Sequence, residues 1–227
     1  MLASFTDDKL GRTLGLGVLY EWGGMAKSNS KTADLILEAA RAIVRDFGPD
    51  KLTFEAISRR VGVSKQAVIY WFPNKARLLE ALVRPALEAE ATAGKSAIKA
   101  NAAPDAAIRG LVEALAVYHM SDLDRFRMMY VTPQIGQRPG RDGAMVTTLG
   151  RMHPATTEMH DALADCLLKG GRYARLVEAR RAAVAVHTAL LGLLLRMAMA
   201  DTLNAPLRHR DDALVEALLG VIAPKAA

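Results

Sequence analysis

The sequence predicts an all-α protein in two parts, a small N-terminal three-helix bundle followed by a larger helical domain. Apolar residues recur at i, i+3, i+4 and i+7 along most of the chain, and no strand-like alternation is sustained. Gly and Pro clusters cut this pattern into helix-length pieces at Gly48-Pro49, Gly62, Pro73, Gly170-Gly171 and Pro206. The chain has 227 residues, 51% of them hydrophobic, enough for a sizeable core and too many for a wholly disordered chain. Three segments follow: a flexible extension over 1–29, a helix-turn-helix unit over 30–90 and a helical domain over 91–227.

Residues 1–29 hold Gly11, Gly15, Gly17, Gly23 and Gly24 with no clear period, so residues 1–24 are expected to be dispensable for folding. From Lys31 an amphipathic helix carries Ile36, Ala39, Ala40, Ile43 and Phe47, and Gly48-Pro49-Asp50 stops it. Thr53 is placed to cap a short helix to about Val61, and Ser64 to cap a second from Lys65 to about Phe72. A longer helix is expected over 75–90. Pro104-Asp105 opens the next, through Leu111, Leu115 and Tyr118, and Asp122 caps another through Phe126 and Tyr130. Pro133 to Gly143 reads as a loop. Pro154 then starts a helix ending at Gly170-Gly171, and helices are expected over 173–200 and 211–222.

Segment 53–72 has the layout of a helix-turn-helix: a short helix, a glycine turn, and a second helix able to enter a major groove. Ile57, Val61, Val63, Val68 and Phe72 supply its small core. Lys65, Gln66, Ala67 and Tyr70 are left on the outer side of the second helix. Lys suits guanine O6/N7, Gln suits adenine, and an Ala methyl suits thymine. Thr53 and Ser64, at helix N-termini, suit phosphate oxygens, and Lys75 suits a phosphate ion pair. A net charge of +6 agrees with a polyanionic partner. An ordinary three-helix packing unit with idle exposed polar groups is the alternative.

The run Leu52 to Ser64 (LTFEAISRRVGVS) and the run Tyr70 to Leu79 (YWFPNKARLL) resemble the DNA-binding domain of TetR-family transcriptional regulators over about residues 31–83. The resemblance implies an all-α homodimer, a second domain holding a small-molecule effector, and repression at a palindromic double-stranded DNA operator. It places Thr53 and Lys75 at phosphate contacts, and Lys65, Gln66, Ala67 and Tyr70 on the recognition helix. Ile69 stands where the family usually has Tyr, and Ser58 where it usually has Ala.

Beyond residue 90 only general physics remains. The helix over 173–200 is apolar on more than one face, and with the stripe Leu214, Val215, Leu218, Leu219 and Ile222 it offers a four-helix interface between two chains. Tyr118, Phe126, Met129, Tyr130, His160 and His187 are the candidate effector contacts, with core packing as the competing explanation. His119 stands beside them as a lone helix histidine. His153 and His160 lack a close-set zinc spacing, so no metal site is expected. No nucleophile elbow, phosphate loop or dinucleotide fingerprint appears, so neither an enzyme nor a cofactor is expected. A helical enzyme and a ligand-independent DNA-binding protein are the rival readings. The best apolar run, Ala182 to Leu195, is short for a membrane span and reads as a core helix. The single cysteine, Cys166, fits a cytoplasmic location.

Overall fold

The computed structural model describes residues 18–132, 154–203 and 211–224, and these are helical and irregular with no strand among them. The order is α1 (Val18–Phe47), a 3-10 turn (Pro49–Lys51), α2 (Phe54–Val61), α3 (Lys65–Trp71), α4 (Lys75–Lys99), α5 (Pro104–Met120), α6 (Leu123–Phe126), a π-helical turn (Arg127–Val131), α7 (Pro154–Lys169), α8 (Leu176–Thr202) and α9 (Asp211–Ile222).

Two cores result. Ile36, Ala40 and Ile43 of α1, Ile57 of α2, Val68 of α3 and Leu78, Leu79 and Leu82 of α4 close the small one. The large one gathers Ala91 and Ile98 of α4, Leu111 and Leu115 of α5, Leu163 and Leu167 of α7, Leu190 and Leu194 of α8, and Leu219 of α9. α4 is therefore a beam shared by both. In the larger part α4 packs on α5 and α7, α7 on α8, and α9 on α8 and α5.

Several boundaries differ from those expected. α1 starts at Val18, not near Lys31, so residues 18–29 of the expected extension have helical backbone. Gly23 and Gly24 cost about 1 kcal/mol each relative to Ala in a helix, and with no proline there they do not end it. α4 runs on to Lys99 through Gly94. At Gly94 a side chain would collide with Met159 Sδ and sit 2.8 Å from Leu111 Cδ1, so glycine is what lets α5 and α7 approach. Gly171, at φ +73°, ends α7 with Arg172 N–H donating to Leu167 C=O at 3.0 Å. Residues 1–17, the loop from Pro133 to Gly143, His153 and the break at Ala205-Pro206 lie outside the described residues.

An 18-residue window of α8 reaches the length and hydropathy of a membrane span, with mean hydropathy 1.7, which the count of uninterrupted apolar residues missed. The structure uses the helix as a core element. Ala183, Leu190 and Leu194 are wholly buried against its neighbours.

Candidate functional site

The turn between α2 and α3 is built as its residues require. Thr53 Oγ1 accepts from Ala56 N–H at 3.0 Å and caps α2. Gly62, at φ +78°, takes the left-handed conformation that closes the helix, and its N–H returns to Ser58 C=O at 2.9 Å. Ser64 Oγ caps α3 by accepting from Ala67 N–H at 3.1 Å, and Asn74 Oδ1 caps α4 by accepting from Arg77 N–H at 2.9 Å. Each cap satisfies one of its helix's first N–H groups and leaves the others without an intrahelical partner.

Val68 is wholly buried, which turns the opposite face of α3 to solvent. Gln66, Tyr70 and Lys75 are exposed, Tyr70 by 72%, with its ring edge-on to Trp71 at 5.4 Å. Ala67 is half-buried. Lys65 is exposed but not free, because its ammonium is hydrogen-bonded to the Glu55 carboxylate of α2. That bond is the largest cause holding the Glu55 carboxyl below its ordinary range. Nothing in the spacing of Glu55 along the sequence shows this contact across the turn.

A second cluster lies inside the large core. Glu90 of α4 is 1% exposed. Its Oε1 accepts from His119 Nε2–H of α5 at 3.0 Å and from His187 Nε2–H of α8 at 3.1 Å. Tyr130 O–H, in the π-helical turn, lies 2.7 Å from Oε2 and 2.8 Å from Oε1. A carboxylate only accepts, so His187 donates through Nε2 and its Nδ1 accepts from His160 Nε2–H of α7 at 3.0 Å. Phe126 packs on the His119 and Tyr130 rings, both at 5.3 Å.

Burial pushes the Glu90 carboxyl up, but the hydrogen bonds from His119 and His187 outweigh it and bring it to about 2. Burial and the neighbouring His187 lower His160 to about 4. His119 Nδ1 and His160 Nδ1 are buried without partners.

Phe126, Tyr130, His160 and His187, four of the candidate effector contacts, thus gather around Glu90. Tyr118 points elsewhere: its hydroxyl donates to Ala86 C=O at 3.0 Å, and the Arg125 guanidinium lies 4.0 Å over its ring. Met129 is buried in the same turn as Tyr130. The sequence list omitted Glu90, the centre of the cluster. The available signal was an acid on the buried stripe of α4, seven residues after Val83 and four before Gly94. Although Glu90, His119 and His187 converge, no three of the described His, Cys, Asp and Glu side chains stand in metal-holding geometry. Burial pushes the Cys166 thiol up, the opposite of an activated nucleophile.

A capped helix-turn-helix with an exposed second helix, carried on a larger helical domain, defines the class of transcriptional regulators that bind DNA. Residues 36–82 match the family model described as bacterial regulatory proteins, tetR family. The chain thus carries that family's DNA-binding domain at these residues. No curated protein sequence matches the chain. Among solved structures, it is similar to the transcriptional regulator FadR from Bacillus subtilis in complex with stearoyl-CoA. That match has 13% identity and a TM-score of 0.66 and covers 85% of this chain and 98% of that one. It is similar to the TetR-family regulator PfmR from Thermus thermophilus at 22% identity and TM-score 0.55, covering 83% and 96%. A TetR variant from Acinetobacter baumannii AYE in complex with minocycline matches at 20% identity and TM-score 0.55, covering 83% and 90%. At these identities the likeness is one of fold.

Proposed function

We propose that the protein is a homodimeric repressor acting in the cytoplasm, bound to a near-palindromic operator and released by a small molecule. The observation that carries DNA reading is the outer face of α3. Gln66 and Tyr70 stand free there, flanked by the capping hydroxyls of Thr53 and Ser64 and by Lys75. In this reading Gln66, Ala67 and Tyr70 meet base edges, and Thr53, Ser64 and Lys75 meet phosphates. Lys65 reaches a base or phosphate only by exchanging its bond to Glu55.

The dimer reading is supported by apolar side chains left uncovered on one face of α8 (Val184, Leu195 and Met199) and by Val221 on α9. Val215 and Leu219 of α9 are taken up by the chain's own core, so across a two-fold axis the α8 stripe and Val221 make the four-helix interface. The effector reading places the small molecule in the larger domain among Phe126, Met129, Tyr130, His160 and His187, with Tyr118 turned away from them. The unpartnered His119 Nδ1 and His160 Nδ1 support a ligand there.

Selection of bound duplex from a random pool tests the proposal. Recovery of an inverted repeat with half-sites about one helical turn apart is expected. Affinity for that site should fall about 10³–10⁵-fold from 50 to 200 mM salt if six to ten phosphates are neutralised. Equal retention of the selected and random duplexes would sink the reading.

A further inference from the structure

A cleft of about 720 Å3 lies where the two cores meet, and none of the six effector candidates lines it. That volume lies within the range of small-molecule pockets. One wall comes from the end of α1, another from the first half of α4, and the third from α6 and the π-helical turn. Leu82, Pro85, Met128 and Val131 give it an apolar lining.

Its charges are unevenly matched. Arg125 and Arg127 are held by Asp122 at 3.6 Å and Asp124 at 2.7 Å, so both lining aspartates are engaged. Across the cleft, Arg41 forms no ion pair among the described residues. Arg45, one turn on, pairs among the described residues only with Asp46, its chain neighbour, which also serves Arg60. Two like charges at i and i+4 repel, and an anion between them removes that repulsion.

The backbone is irregular on both sides of the same cleft. Pro85 lies inside α4, where it withholds a hydrogen bond from the turn joining the two cores. The facing wall is the π-helical turn, a form of backbone frequent at functional sites. We propose that this cleft binds an amphipathic anion, an apolar body against Leu82, Pro85, Met128 and Val131 with its charge on Arg41 and Arg45. The bound molecule touches both domains at the proline-interrupted turn of their shared helix. This site is separate from any ligand at the Glu90 cluster.

Fluorescence titration of the full chain tests this with two probes. Anilinonaphthalene sulfonate is an apolar ring system with one anion, and phenylnaphthylamine is its uncharged counterpart. Saturable binding of the sulfonate at one site per chain is expected. Arg41→Ala with Arg45→Ala should weaken the sulfonate by at least about tenfold and leave the neutral probe unchanged. Both arginines are exposed and outside the cores, so the double variant keeps its fold. Val131→Trp, with its melt confirming folding, should fill the cleft and abolish binding of both probes. Absence of saturable binding, or sulfonate binding unmoved by the arginine substitutions, overturns the proposal. So does binding that responds to Tyr130→Phe and His160→Leu but not to the junction variants, since the probe then sits at the Glu90 cluster.

Discussion

At the scale of single residues, α3 separates readers from anchors. Gln66 is exposed and Lys75 opens α4 beside it, so their losses should look different in a binding assay. Gln66→Ala is expected to relax preference at one base position by about 1–3 kcal/mol, whereas Lys75→Ala should weaken all sequences alike. Binding motifs determined for both variants check this, and identical motifs for wild type and Gln66→Ala would remove Gln66 from the readers. Inside the large core Glu90 is the residue with most at stake. Glu90→Ala strands the His119, His187 and Tyr130 donors in a buried site, which should cost at least about 3 kcal/mol at 1–3 kcal/mol per orphaned group. Denaturant unfolding measures it. A loss under about 1 kcal/mol, the size of an ordinary surface change, would show that water or rearrangement satisfies them.

At the scale of elements, two glycines act for different reasons. Gly62 has open space around it and a φ of +78°, so only its backbone matters. Gly62→Ala should cost about 1–2 kcal/mol, and Gly62→Asn less, because Asn tolerates the left-handed region. Gly94 lies within α4 with no open space, so Gly94→Ala should cost about 1–3 kcal/mol by overpacking. Combining it with Met159→Ala should recover part of that loss, since the collision is with the Met159 side chain. Thermal melts of these variants decide between strain and collision. Additive losses for the Gly94 and Met159 pair would refute the packing account. The short helices and their caps were legible in sequence because a cap is a local device: Thr53, Ser64 and Asp122 each bond a backbone N–H three residues on. The continuation of α4 through Gly94 was not, because glycine marks a break in isolation and a close approach only in the presence of α5 and α7.

At the scale of the whole molecule, the Glu90 cluster ties four helices and the π-helical turn together, so its protonation bears on global stability. His160 falls from an ordinary 6.5 to about 4, and Glu90 from 4.5 to about 2. Both folded values lie below the unfolded ones, so the unfolded chain binds more protons as pH falls. The His160 contribution is complete above about 6.5 and fades toward 4, and the Glu90 contribution then fades between 4.5 and 2. Melting temperature should therefore drop on acidification from neutral pH, and His160→Leu should flatten the upper part of that drop. Parallel melting profiles for wild type and variant would show that His160 does not govern it.

The sequence by itself determined the helical class, the caps, the helix-turn-helix and the outward set on α3. These depend on periodicity and on residues within one turn of each other, which a linear reading captures. Tertiary structure alone decided that Lys65 is held by Glu55, that Glu90 is the centre of the buried cluster, and that a cleft opens between Arg41 and Val131. Those features join residues on different helices. The free energy of a contact depends on the distance and solvent left between its partners, and chain order fixes neither.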